Sequence, residues 1–100
     1  MSRVIFSIRY HVFPERRQEY LDVIRELKNI IKADGLESYS VYEQKNKPNN
    51  FEEIYLFKSE EAFENFDDNQ DERIDILMTK LSDMIKEQTT QYTTSLEVNN

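Results

Sequence analysis

The sequence predicts an α+β domain in which helices cover one face of a four-stranded antiparallel sheet. Three observations lead to this prediction: an N-terminal segment with strand alternation, two amphipathic helical segments, and two central strands joined by a short polar turn. The elements follow the order β-α-β-β-α-(α)-β, which is the ferredoxin-like arrangement. We expect the 100 residues to form a single domain, 1–100.

The first strand is predicted from the segment RVIFSIRYHVF, in which apolar and other residues alternate with a period of two. Ile8 and Tyr10 share the face that should pack against the helices, and Arg9 and His11 share the opposite face. His11 is the only histidine in the chain. We interpret it as a partly exposed or interface residue, and the alternative is a general base that serves the neighbouring subunit's ligand.

The first helix is predicted to begin at Pro14, because a missing N–H costs nothing in the first turn of a helix. Apolar residues then recur at three- and four-residue spacing as far as Ile31, which is typical of an amphipathic helix. Gly35 is the only glycine in the chain. We expect it to end this helix in a left-handed conformation.

The second and third strands are predicted over LESYSVYEQ and FEEIYLFK. The short turn KNKPNN between them favours an antiparallel hairpin. In the third strand Ile54 and Leu56 alternate with Tyr55 and Phe57, so both faces of the strand are apolar. Ser59 is the expected N-cap of a short helix that follows.

The C-terminal third is predicted to contain a break at the polar run DDNQDE, a longer amphipathic helix, and a fourth strand over residues 90–98. One layer of helices covers only one face of the sheet, so we expect a homodimer that buries the other face, with Leu56 facing the partner. If each partner buries about 800 Å² at roughly 25 cal/mol per Å², the gross gain is about 20 kcal/mol before the cost of association.

Composition excludes or disfavours several classes of protein. The net charge of −7 disfavours binding to nucleic acid or to an anionic membrane surface. The absence of cysteine excludes disulfides and thiol catalysis, and a single histidine excludes multi-histidine metal sites. The acidic run EEAFENFDDNQDE contains no glycine, so we interpret it as a solvated helix junction rather than a calcium loop. We expect a cytoplasmic protein with no bound metal.

The segments VFPERRQEYLDVIRELKNIIKADGLESYSVYEQ and FEEIYLFKSEEAFENF resemble the antibiotic biosynthesis monooxygenase-like group of dimeric α+β barrel proteins. The resemblance extends from about Val4 to Ile85. It implies a dimeric α+β barrel with a ligand between the sheet and its covering helices. Members of the group include cofactor-independent quinone-forming oxygenases, haem-degrading oxygenases and isomerases, so the resemblance implies the fold more strongly than any one reaction.

The resemblance also implies where catalytic residues would lie. In the haem-degrading branch an asparagine, a tryptophan and a histidine fall near Ile8, at Phe57 and within the range 74–77 of this chain. The histidine that many other members carry falls at Phe66. All of these positions are apolar here or carry no histidine. We therefore expect no haem degradation by that route and no cofactor.

The predicted ligand site consists of aromatic residues, because flat apolar ligands stack on rings. The alternative is that these rings simply fill the core. Two functions stay open: a homodimer that binds a small aromatic ligand without the usual catalytic histidine, or a cofactor-independent monooxygenase acting on an aromatic or polyketide-like substrate. The predicted ligand-binding residues are Tyr10, Tyr55, Phe57 and Phe66.

Overall fold

The computed structural model describes residues 2–66 and 71–98. The elements are β1 (Val4–His11), α1 (Arg17–Ile30), β2 (Leu36–Glu43), β3 (Asn50–Phe57), α2 (Glu60–Glu64), α3 (Glu72–Met84) and β4 (Gln91–Leu96). A short 3₁₀ turn, Pro14–Arg16, leads into α1. The predicted α+β class and the predicted order of elements are confirmed.

The four strands form one antiparallel sheet in the order β2-β3-β1-β4, so β1 and β3 are central. Val4 lies opposite Phe57 at one end of the β1–β3 pair, and Tyr10 lies opposite Phe51 near the other. Residues with the same parity point to the same side of the sheet. The side that faces the helices therefore carries Val4, Phe6, Ile8 and Tyr10 of β1 and Phe51, Glu53, Tyr55 and Phe57 of β3.

Helices α1 and α3 cover this side and form the core with it. The short α2 begins at Ser59, whose hydroxyl oxygen accepts the backbone N–H of Ala62 at 3.1 Å, as predicted. The buried helix residues recur at helical spacing, which is why these segments are amphipathic helices. They are Tyr20, Val23, Ile24 and Leu27 of α1 and Ile74, Leu77, Leu81 and Met84 of α3.

Gly35 adopts the predicted left-handed conformation, with φ +81°, but the prediction that it ends the first helix is wrong. Helix α1 ends at Ile30, and Ile31 is already extended. Gly35 instead lies in the turn that leads into β2, where a Cβ atom would lie 2.5 Å from Cβ of Ala62. The glycine is required by this close approach to α2 as well as by its φ. The predicted break in DDNQDE falls mainly on residues 67–70, which lie outside the described residues.

The other side of the sheet, here called the open face, is not covered by a helix of the described chain. It carries an apolar patch of Ile5, Ile54 and Leu56, and Ile5 is 43% exposed. Arg9 and His11 also lie on this face, as predicted, and Arg9 forms an ion pair with Glu52 at 3.1 Å. Among residues 2–66 and 71–98, no helix combines the length and hydrophobicity needed to cross a bilayer.

Candidate functional site

A cleft of about 470 Å³ opens between the helix-facing side of β1, the C-terminal half of α3 and the beginning of β4. Met78 and Leu81 reach it from α3 at a spacing of three residues, which places them on one face of the helix. Much of its wall is apolar and aromatic, a composition typical of small-molecule sites. The wall residues include Phe6, Ile8, Tyr10, Leu81, Ile85 and Tyr92.

The buried charged group in the wall of this cleft is the carboxylate of Glu53, which is only 2% exposed. Across the sheet Glu53 lies between Ile8 on β1 and Val41 on β2, so strand neighbours on both sides are apolar. Burying a carboxylate is costly unless it accepts hydrogen bonds. Tyr39 donates such a bond to Oε1 of Glu53 at 2.6 Å, the length of a strong charge-assisted bond.

Two further tyrosines lie beside Glu53. The hydroxyl groups of Tyr10 and Tyr20 are hydrogen-bonded to each other at 2.7 Å in a buried position between β1 and α1. Burial, followed by the negative charge of Glu53, raises the pKa of Tyr10 and of Tyr39 far above the ordinary value. Burial likewise raises the pKa of Tyr20. All three hydroxyls therefore stay protonated at neutral pH, so each keeps a hydrogen that it can donate.

The structure separates the four predicted ligand-binding residues into two groups. Tyr10 lines the cleft. Tyr55 and Phe57 are 1% and 0% exposed, and the Phe66 ring lies 5.2 Å from that of Phe57. The ring of Phe63 in α2 lies 5.5 Å from that of Phe57. We call the four rings of Tyr55, Phe57, Phe63 and Phe66 the ring cluster. The ring cluster fills its end of the space between sheet and helices.

Tyr10 and Phe57 lie at opposite ends of the central strands, whereas Tyr55 lies opposite Phe6, which also lines the cleft. Tyr10 is six residues along β1 from Val4, the residue opposite Phe57. At about 3.3 Å per residue the separation along the strand is roughly 20 Å. A single small ligand therefore does not reach from Tyr10 to Phe57, and the prediction for Tyr55, Phe57 and Phe66 stays a prediction.

Glu53 is the site residue that the sequence analysis missed. The signal was present in β3, because the alternation that places Tyr55 and Phe57 toward the helices places Glu53 on the same side. His11, in contrast, is not among the residues that line the cleft. The part of the chain that the structure describes contains no group of three or more histidine, aspartate or glutamate side chains placed to hold a metal ion.

Comparison with known protein families gives one clear result. Residues 1–71 match the sequence profile of the family described as antibiotic biosynthesis monooxygenase. Comparison with functionally curated proteins detects no match.

Solved structures share the fold along almost the whole chain. A conserved protein from Methanosarcina mazei superposes with a TM-score of 0.80 at 18% identity, covering 98% of this chain and 95% of the other. A putative antibiotic biosynthesis monooxygenase from Bacteroides thetaiotaomicron gives 0.74 at 17%, covering 93% and 87%. SnoaB from Streptomyces nogalater, a cofactor-independent oxygenase solved as a point mutant, gives 0.76 at 15%, covering 100% and 97%. At these identities the similarity establishes the fold and no activity.

Proposed function

Because the chain belongs to the antibiotic biosynthesis monooxygenase family, we propose that it is a homodimer that binds a small, flat aromatic molecule in the cleft between β1, α3 and β4. The observation that carries the proposal is the cleft itself, a ring-lined space with one buried carboxylate in its wall. No histidine supplies the usual catalytic group, since the only one in the chain is His11.

The aromatic lining and the volume of the cleft support a small, flat ligand. The rings of Phe6 and Tyr92 stack with an interplanar angle of 14° and centroids 6.1 Å apart. Tyr92 is 68% exposed, so its ring borders the cleft while remaining accessible from solvent. Aromatic molecules gain from offset or edge contacts with such rings. A volume of about 470 Å³ lies within the range of small-molecule sites.

A cleft-blocking variant tests this proposal. Ser82 is an exposed residue of α3 that lines the cleft, and Asp83 is its exposed neighbour that does not. Ser82→Trp should therefore abolish binding of 2-naphthylmethanol measured by calorimetry, and Asp83→Trp should leave it unchanged. Equal binding by both variants would show that the ligand binds elsewhere.

The dimer in this proposal is supported by the open face. Ile5, Ile54 and Leu56 form an apolar patch there, and exposed apolar patches on stable proteins mark interaction surfaces. Light scattering at micromolar concentration should give twice the chain mass of 12.1 kDa. Leu56→Lys should dissociate or unfold the dimer, whereas Thr79→Lys on the exposed surface of α3 should not. A mass of one chain for the wild type would refute the dimer.

Cofactor-independent oxygenation is a second candidate, and the specific observation in its favour is Glu53. A buried carboxylate in the cleft wall is suited to take a proton from a bound, weakly acidic aromatic substrate. Dioxygen would then be the oxidant, with one oxygen atom entering the substrate as a ring carbonyl and the other leaving as water.

Anthrone and dioxygen provide a direct assay of this second candidate. The wild type should consume dioxygen and form anthraquinone faster than a protein-free control. Glu53→Gln should remove that acceleration. Glu52→Gln should keep it, because Glu52 is the adjacent carboxylate on the open face, paired with Arg9. The absence of acceleration in the wild type would leave ligand binding as the function.

A further inference from the structure

We infer that the cleft is selective for aromatic amines, with the protonated amine of the ligand bound to the carboxylate of Glu53. This inference rests on the proposed function, since it concerns the ligand of the same cleft. It adds the polar group of the ligand and the residue that selects it.

The ionisation of Glu53 depends on its burial and on its hydrogen bonds. Tyr39 donates its hydroxyl hydrogen to Oε1 of Glu53 at 2.6 Å. Burial disfavours the charged form of Glu53, whereas a donor at that distance stabilises the carboxylate, and an ammonium group of a ligand would add a second stabilising contact. A carboxylate offers about four lone-pair positions, so it can accept a further hydrogen bond from a ligand while it holds the bonds from Tyr39 and Tyr10. The polar group of such a ligand has to be a donor.

The buried carboxylate favours a charged donor over a neutral one. Glu53 is 2% exposed, and its attraction to a cation is screened less by solvent than that of a surface carboxylate. A neutral hydroxyl gains only the hydrogen bond, whereas an ammonium group gains the hydrogen bond and the charge attraction. A ligand carboxylate would meet a like charge and be excluded.

The rings in the cleft wall provide further support. Phe6, Tyr10 and Tyr92 present aromatic surface to the same cleft as Glu53. Aromatic faces attract ammonium groups when the cation is partly desolvated. A carboxylate combined with several rings therefore matches a ligand that has both a flat apolar body and a positive charge.

Charges at the rim of the cleft do not oppose this choice. Lys86 and Glu87 both line it and carry opposite charges, so together they add no net charge to the entrance. The chain as a whole has a net charge of −7, and a field of that sign raises the local concentration of small cations.

The test compares three ligands that share one ring system: 2-naphthylmethylamine, 2-naphthylmethanol and 2-naphthoate. Calorimetry at pH 7 on the full-length wild type should give an affinity for the amine about tenfold or more above that for the alcohol, and no binding of the carboxylate. Glu53→Gln should lower the affinity for the amine to that for the alcohol. Glu52→Gln, which removes the same charge from the open face, should retain the preference.

Equal affinities of the wild type for amine and alcohol would overturn the inference and leave the proposed function standing. Binding of none of the three ligands would overturn the proposed function itself. Circular dichroism will show whether Glu53→Gln folds, and Tyr39→Phe provides a second variant if it does not. Loss of the Tyr39 donor should raise the pH below which amine binding disappears, and an unchanged pH profile would contradict the role of Glu53.

Discussion

Replacing Phe57 with alanine distinguishes a core residue from a ligand contact. The side chain is fully buried at the end of β3, and its ring contacts those of Tyr55, Phe63 and Phe66. Truncation would leave a cavity in the middle of the ring cluster. Because three other rings surround that cavity, it cannot close without moving α2 or β3.

The expected cost is about 3–5 kcal/mol, the usual range for a buried phenylalanine. The edge-on geometry of two of the contacts, at 63° and 62°, places the cost toward the upper end, since such pairs contribute about 0.5–1.5 kcal/mol beyond burial. A domain of this size has a total stability of about 5–15 kcal/mol. The melting temperature should therefore fall by roughly 15–30 °C at equal protein concentration.

The assay is thermal and urea unfolding of wild type, Phe57→Ala and Phe57→Leu, each with and without 2-naphthylmethanol. Phe57→Leu keeps an apolar side chain and should lose far less stability. We expect the ligand to raise the melting temperature by a similar increment in all three proteins, because Phe57 is not among the residues that line the cleft.

Two results would refute this reasoning. A cost below about 1 kcal/mol for Phe57→Ala would mean that the ring cluster is not tightly packed. A ligand-induced shift seen in the wild type but absent from a folded Phe57→Ala variant would place the ligand at the ring cluster, as the sequence analysis predicted.

Three further predictions concern the turn before β2, an ion pair and haem. Gly35→Ala should cost at least about 1–2 kcal/mol in urea unfolding, because its φ is +81° and the new Cβ would meet Ala62; an unchanged midpoint would contradict this. The side chain of Arg17 and then the backbone N–H of Asn49 lower the pKa of Glu43 from 4.5 to about 2. The stabilisation from this pair is therefore present above pH 4.5 and lost as the pH falls toward 2. Since the pair is partly exposed, Glu43→Gln should cost only about 0.5–1 kcal/mol at pH 7, and a cost that persists at pH 2 would refute the assignment. Incubation with haemin and a reductant should give no loss of the Soret band beyond a protein-free control, and protein-dependent bleaching with a defined product would reverse that expectation.

Much of the fold could be predicted because its signals are local. The period-two alternation in β1 and the short turn between β2 and β3 are read from neighbouring residues. The cap at Ser59 is equally local, since its hydroxyl bonds a backbone N–H only three residues away. The end of α1 was missed because apolar spacing continues to Ile31 although the helix stops at Ile30. The position at which α1 ends depends on the path of the chain from Ile30 to Gly35, which packs closely against α2.

The sequence by itself determined which side chains face the helices, including Tyr10, Glu53 and Phe57, because side-chain direction in a strand alternates strictly. It did not determine which end of that surface is filled and which is open. The tertiary structure decided this point: α2 and its rings close the Phe57 end, and the last turns of α3 leave a cleft at the Tyr10 end. The physical reason is that a cleft is bounded by residues more than seventy positions apart in sequence, such as Tyr10 and Tyr92, and their separation depends on packing among all the elements between them.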